Sequence, residues 1–160
     1  MSENLLEQLQ TYAAQSNSKV SVPRKDETSI EVDQGHIKDF ISHLINDLKI
    51  LHLATITGLD LGQNIGIIYH FFQDKDTINV RSTVPKAQPT ALSIVDIIPG
   101  AILYEMEIHD LFGVTFTGNP WINQKLLLPD NWPDDLPPPL LKTTKPAEIR
   151  KRLHLEVEQK

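Results

Sequence analysis

The apolar positions of this chain change period along its length, and each change marks an element. Over residues 3–14, Leu5, Leu6, Leu9, Tyr12 and Ala13 recur at helical spacing, with Ser2 placed to cap the first turn. Ser16-Asn17-Ser18 ends that helix. Two short strands are expected over residues 19–22 and 29–32, on either side of a charged turn at 23–27. The second helix has the cleanest stripe: Ile37, Phe40, Ile41, Leu44, Ile45 and Leu48 fall at i, i+3, i+4, i+7, i+8 and i+11. Asp33 or Gly35 stands where it can be started. So continuous an apolar face belongs in a core.

From residue 50 the period falls to two. Residues 50–57 are β-branched and aliphatic and stop at Gly58. Residues 64–73 alternate Ile65, Ile67, Tyr69 and Phe71 with Gly66, Ile68, His70 and Phe72. The polar turn Asp74-Lys75-Asp76 leads into residues 77–84, which set Ile78, Val80 and Val84 on one face. Short turn-rich links predict an antiparallel meander. The expected fold is α+β: a mainly antiparallel sheet with helices packed on one face, followed by an extended Pro-rich C-terminal arm. Residues 93–98 feed a third helix from about 99 to 112, with Pro99 in the first turn and Gly113 at the left-handed position after the last.

After Gly118 the pattern changes again. Seven of the 11 prolines lie from Pro120 to Pro146. Proline fixes φ and lacks a donor, so this stretch should run extended and poor in internal hydrogen bonds. It also carries Trp121, Leu126-Leu127-Leu128, Trp132, Leu140 and Leu141, including both tryptophans of the chain. A disordered linker is polar. This one is apolar and aromatic, so it should occupy a groove on its own domain or on a partner. The expected division is an α+β domain over residues 1–118 and a docking arm over 119–160, ending in a short helix at 146–157.

Composition narrows the function. The 160 residues carry a formal net charge of −6, and Arg150-Lys151-Arg152 is the one basic cluster. Nothing here displaces phosphate counterions, so nucleic acid is not an expected partner. No apolar run approaches the roughly 20 residues that span a bilayer. The first 18 residues carry acids and no basic residue, unlike a secretory signal. With no cysteine, disulfides, iron–sulfur ligation and thiolate zinc sites are excluded.

The third helix holds the constellation worth testing for chemistry: Glu105, Glu107, His109 and Asp110. Glu105 and His109 share one face, Glu107 and Asp110 another. Di-iron bundles need Glu three residues before His, and the residue three before His109 is Met106. Zinc peptidases need a second His that this helix lacks. His36, His43, His52, His70 and His154 have no ligand spacing. There is no phosphate-cradling glycine loop and no nucleophile elbow. No catalytic, cofactor-binding or metal residue is expected.

These residues nevertheless carry a resemblance. The run from Ser93 to Ala101, then Tyr104-Glu105-Met106-Glu107-Ile108-His109-Asp110-Leu111-Phe112-Gly113-Val114, resembles the signature helix of the 30-kDa subunit family of respiratory complex I, which includes the related subunit of energy-converting membrane-bound hydrogenases. Phe116-Thr117-Gly118-Asn119-Pro120 is similar to its Phe-x-Gly-His-Pro, and Leu127-Leu128-Pro129-Asp130-Asn131-Trp132 to its Leu-Leu-Pro-Asp-Asp-Trp. Three departures stand out. Met106 occupies the place of an arginine, Asn119 that of a histidine, and Pro139-Leu140-Leu141-Lys142-Thr143 replaces Pro-Leu-Arg-Lys-Asp. Losing the arginine removes a planar bidentate donor, which tilts the expectation toward the hydrogenase-like or archaeal branch over the NADH–quinone one.

The resemblance implies a cofactor-free structural subunit of the peripheral arm, without catalysis, cluster or quinone of its own. It would dock on the large catalytic subunit (49-kDa, hydrogenase large-subunit-like), beside iron–sulfur subunits. That lies at the cytoplasmic side of the cell membrane, met only through the complex. The expected docking residues are Glu105, Glu107, Asp110, Trp121, Trp132, Leu140, Leu141 and Lys142. The competing expectations are the same subunit in an NADH–quinone oxidoreductase and a stand-alone adaptor.

Overall fold

The computed structural model describes residues 3–16 and 18–153. Ser2, Asn17, His154 and the expected end of the last helix lie outside the described residues. The chain folds as an α+β unit with four helices, a mixed five-stranded sheet and a small two-stranded one. The elements are α1 (Glu3–Gln15), β1 (Lys19–Arg24), β2 (Glu27–Glu31), α2 (Ile37–Asn46), β3 (His52–Asp60), β4 (Asn64–Gln73), β5 (Asp76–Pro85), β6 (Thr90–Leu92), α3 (Ala101–Phe112), β7 (Thr115–Thr117) and α4 (Pro146–Arg152). A single 3-10 turn, Gln34–His36, leads into α2. Among these helices none is long and apolar enough to cross a membrane.

The sheet order is β1-β2-β5-β4-β3. β3, β4 and β5 form the expected antiparallel meander, with Ile56 opposite Tyr69, Tyr69 opposite Val80 and Phe71 opposite Ile78. The β4–β5 turn uses Asp74 at φ 55°, a left-handed conformation that a short polar side chain tolerates. The pairing of β2 with β5 is parallel, so the sheet is mixed, with its other three pairings antiparallel. Parallel strands need a long crossover connection, and α2, β3 and β4 supply it. Local periodicity carries no trace of a pairing made at that separation.

The alternation of β4 works as its sequence requires. Ile65, Ile67, Tyr69 and Phe71 are fully buried, and each such side chain contributes about 1.5–3 kcal/mol. They share one core with Leu9 and Ala13 of α1, Ile37, Phe40, Ile41 and Leu44 of α2, and Ala101, Ile108 and Phe112 of α3. The opposite face of the sheet is more polar, with Arg81 and Thr83 exposed. There Thr57, His70, Asn79 and Glu27 form one hydrogen-bonded row across four strands.

β3 continues past Gly58, the residue expected to end it, because that glycine lies under α3. A Cβ at Gly58 would stand 2.6 Å from Cδ2 and Cε2 of Phe112. α3 begins at Ala101, two residues later than expected, with Pro99 and Gly100 in the turn before it. Its end is as read: Gly113 is left-handed at φ 78°, and its N–H donates to the His109 carbonyl. β6 and β7, which no periodicity announced, flank α3 and pair in parallel with Ala91 opposite Phe116. The helix is thereby anchored at both ends.

Between β7 and α4 there is no helix or strand. Successive turns close the path instead, with Trp132 donating to Pro129, Leu136 to Pro133 and Leu141 to Pro138 through the backbone. Asn119, Leu136 and Thr144 are buried, and Ile122 and Leu141 pack against the core.

Candidate functional site

α3 and the segment wound around it hold the signature residues together. At 100° per residue Glu105 and Asp110 lie about 140° apart on the helix, yet both are buried, at 0% and 4% exposure. A buried carboxylate needs donors for its lone pairs. Glu105 Oε1 accepts the Ile94 N–H at 2.8 Å, and Oε2 accepts the Ser93 hydroxyl at 2.8 Å and the Asn119 amide at 2.9 Å. Burial pushes the Glu105 carboxyl up from its ordinary range, against these three donors. Asn119 also donates to the Ile102 carbonyl at 3.1 Å, while its own oxygen accepts the Trp121 N–H at 3.0 Å.

Asp110 is solvated by the backbone. Its Oδ2 accepts three successive N–H groups, from Leu126 at 2.8 Å, Leu127 at 2.6 Å and Leu128 at 3.1 Å. His109 is occupied locally: its Nδ1 lies 2.9 Å from the Val114 carbonyl, so that nitrogen carries the proton. Glu107 is half-exposed and makes no hydrogen bond or ion pair among the described residues. Met106, standing where the resembled family has arginine, is buried at 3% exposure.

The other expected docking residues lie in the segment between β7 and α4. Trp121 is 48% exposed and Leu140 52% exposed, while Lys142 is exposed and Leu141 half-buried. The Leu140 N–H donates to the Leu111 carbonyl. Trp132 is half-buried and its indole N–H donates to the Leu136 carbonyl at 3.2 Å. Both oxygens of Glu105 and Oδ2 of Asp110 are taken up inside the chain.

One anchor had no sequence signal. Asp60, at the end of β3, accepts the Lys86 ammonium at 2.6 Å and the Lys142 backbone N–H at 2.8 Å on Oδ2, and the Gly62 N–H on Oδ1. The Lys86 ammonium, then the Lys142 and Gly62 N–H groups, hold its carboxyl well below the usual range. Asn119 was visible as a departure from a motif, but its bridge to Glu105 was not. Ser93 and Asp60 meet partners far along the chain, and no spacing rule reaches them. Among the described residues no group of three or more His, Asp or Glu is arranged to hold a metal ion.

The class this defines is a mixed-sheet α+β domain whose signature helix is held by the segment that follows β7. The family is given by comparison. The model of the respiratory-chain NADH dehydrogenase 30 Kd subunit matches residues 30–149, three quarters of the chain, and the chain belongs to that family. It is 33% identical over 91 residues to the C subunit of the NADH-quinone oxidoreductase of Herpetosiphon aurantiacus, covering 54% of this chain and 53% of that one. It is 27% identical to the C subunit of the F(420)H(2) dehydrogenase of Methanosarcina mazei, over 64% of this chain and 69% of that one. The matched region thus spans about half the length of the first of these relatives.

Among solved structures, a chain of the membrane-bound sulfane sulfur reductase, an archaeal respiratory membrane complex, has the same fold. Its TM-score is 0.83 at 23% identity, covering 99% of this chain and 94% of that one. The trypsin-resistant fragment of Nqo5 matches with a TM-score of 0.62 at 23% identity, over 72% of this chain and 97% of the fragment.

Proposed function

We propose that this chain is a cofactor-free structural subunit, without catalysis of its own, in the peripheral arm of a complex I-like membrane-bound oxidoreductase. It docks on the large catalytic subunit beside the iron–sulfur subunits, on the cytoplasmic side of the membrane. The observation that carries the reading is a set of large exposed side chains hung on α3: Trp121, Leu126, Leu127 and Leu140, with Leu103 on the helix itself. Exposed apolar and aromatic side chains gathered on one element mark interaction surfaces. Glu107 and Lys142 supply charge at the rim. In this reading the body is residues 1–118 and the docking arm is residues 119–160.

The absence of cysteine supports a subunit that leaves cluster chemistry to its neighbours. Likeness over nearly the whole chain to the archaeal complex, and to the F(420)H(2) dehydrogenase relative, supports a hydrogenase-like or archaeal setting. The NADH–quinone setting is the second reading, favoured by the relatives from NADH-quinone oxidoreductases. The test is purification of the tagged chain from detergent-solubilised membranes of its host. The reading expects a large subunit and iron–sulfur subunits in stoichiometric amounts, and their loss with Trp121→Ala/Leu140→Asp. Recovery of the chain alone from the wild type overturns it. The electron-input subunit that co-purifies decides between the two settings.

A further inference from the structure

The exposed loop between Pro120 and Pro129 has an unusual support. It contains no helix or strand, and its internal backbone bonding amounts to a turn from Gln124 to Trp121. Yet both of its ends hang from buried groups of α3. At the first end, Asn119 is fixed by the Ile102 carbonyl and Glu105, and its oxygen takes the Trp121 N–H. At the second, the three N–H groups of Leu126, Leu127 and Leu128 converge on one oxygen of Asp110. Three successive amides turned inward on one anion form a concave nest. Here the anion comes from the chain itself. Glu105 and Asp110 are five residues apart, about 7.5 Å along the helix, which sets the span of the loop.

The consequence falls on the side chains. With their N–H groups directed at a buried carboxylate, Leu126 and Leu127 stay exposed, at 39% and 55%, and Trp121 stands clear at the other end. A loop with these side chains and no such support would collapse on them or sample many arrangements, and each would have to be ordered on binding.

We infer that Asp110 and the Asn119–Glu105 pair are positioning residues that hold residues 121–128 in binding-ready form, presenting Trp121, Leu126 and Leu127 to an apolar recess on the large subunit. The inference rests on the docking reading above and adds to it how the surface is made and what its partner must look like. The recess has to admit an indole and two leucines. It needs no basic group opposite Asp110 or Glu105, which are buried at 4% and 0% exposure.

The test has two arms. In the full-length free chain, backbone amide exchange at Leu126–Leu128 is slow despite the lack of helix or strand, and Asp110→Ala accelerates it at least tenfold. Asp110→Asn keeps an acceptor oxygen and restores part of the protection. With the large subunit purified from the same host, Asp110→Ala weakens binding about tenfold or more, and Asp110→Asn recovers much of that loss. Should Asp110→Ala fail to fold, Asn119→Ala and Asp110→Asn carry the same comparison. Unchanged exchange, or unchanged affinity while Trp121→Ala abolishes binding, overturns the positioning role and leaves the docking reading standing. If neither Trp121→Ala nor Asp110→Ala affects binding, both fall.

Discussion

Gly58→Ala is the sharpest probe of how α3 is seated. Gly58 sits in β3 between the buried Ile56 and Asp60, on the face that packs against the helix. The new methyl would meet two carbons of the Phe112 ring at 2.6 Å and a third at 3.3 Å. Carbon–carbon contacts are favourable near 3.5–4.0 Å, so ring and strand must part by about 0.9 Å or more. The ring has little room, because it is 9% exposed and closes α3 beside Gly113, whose far side is occupied by Pro138. Overpacking of this kind costs about 1–3 kcal/mol. Alanine regains about 0.5–1 kcal/mol over glycine in a strand. The net loss of about 1–2 kcal/mol lowers Tm by about 2–8 °C in a domain of this size. The assay is urea unfolding of a double-mutant cycle with Phe112→Ala, which alone costs about 3–5 kcal/mol. In the Phe112→Ala background the Gly58→Ala change should be neutral or mildly stabilising, a coupling of about 1–3 kcal/mol. Equal cost in both backgrounds, or no cost in the wild type, refutes this seating of the helix on β3.

Two further predictions concern pH, with opposite signs. Asp60 has a folded-state pKa below its ordinary 3.8, so its contribution is complete above that value and is lost as pH falls through the folded value. Asp60→Asn should therefore remove part of the acid-side loss of stability, read from urea midpoints between about pH 5 and about pH 2; an unchanged slope contradicts the Asp60–Lys86–Lys142 anchor. Glu105 is raised above its ordinary 4.5, so the folded state favours its protonated form and its contribution declines as pH rises through the raised value. Glu105→Gln should abolish that decline and, by offering one acceptor oxygen where the carboxylate has two, leave a buried donor unmatched at a cost of about 1–3 kcal/mol. A variant whose stability still falls over the same pH range places the titration elsewhere.

The sequence reading succeeded where one period governs one element. The stripe of α2, the alternation of β4 and the left-handed Gly113 at the end of α3 are local facts of spacing and sterics, and the structure has all three. It missed what depends on distant partners. β2 pairs with β5 only after α2, β3 and β4 have intervened, and β6 meets β7 across the whole of α3. Gly58 reads as a strand breaker until Phe112 is known to lie over it. The acids of α3 show the same limit. Spacing spoke against a metal site, but it could not tell that Ser93, Ile94 and Asn119 would surround Glu105, or that three backbone amides would enclose Asp110. Both entered the expected docking set through the resemblance, and their burial rests on donors that other segments supply.

Enclosure, not helical angle, sets which of the signature acids is open. Glu107 lies about 200° and Asp110 about 140° around the helix from Glu105. Asp110 is nevertheless enclosed, by the amides of residues 126–128, and Glu107 is the half-exposed acid of the three. Position 106 lies about 100° from Glu105 and is buried as methionine, so it presents no charge either. The charge this helix can offer a neighbour therefore reduces to Glu107. The segment wound around the helix exposes Trp121, Leu126, Leu127 and Leu140 together with the polar Asn123, Gln124, Asp130 and Asn131 and the charged Lys142 and Lys125, and Lys125 is engaged with the Asp130 and Trp132 carbonyls. An interface built this way draws its binding from burial of Trp121 and the leucines. In the docking proposal, the two enclosed acids act through the shape of the loop they hold.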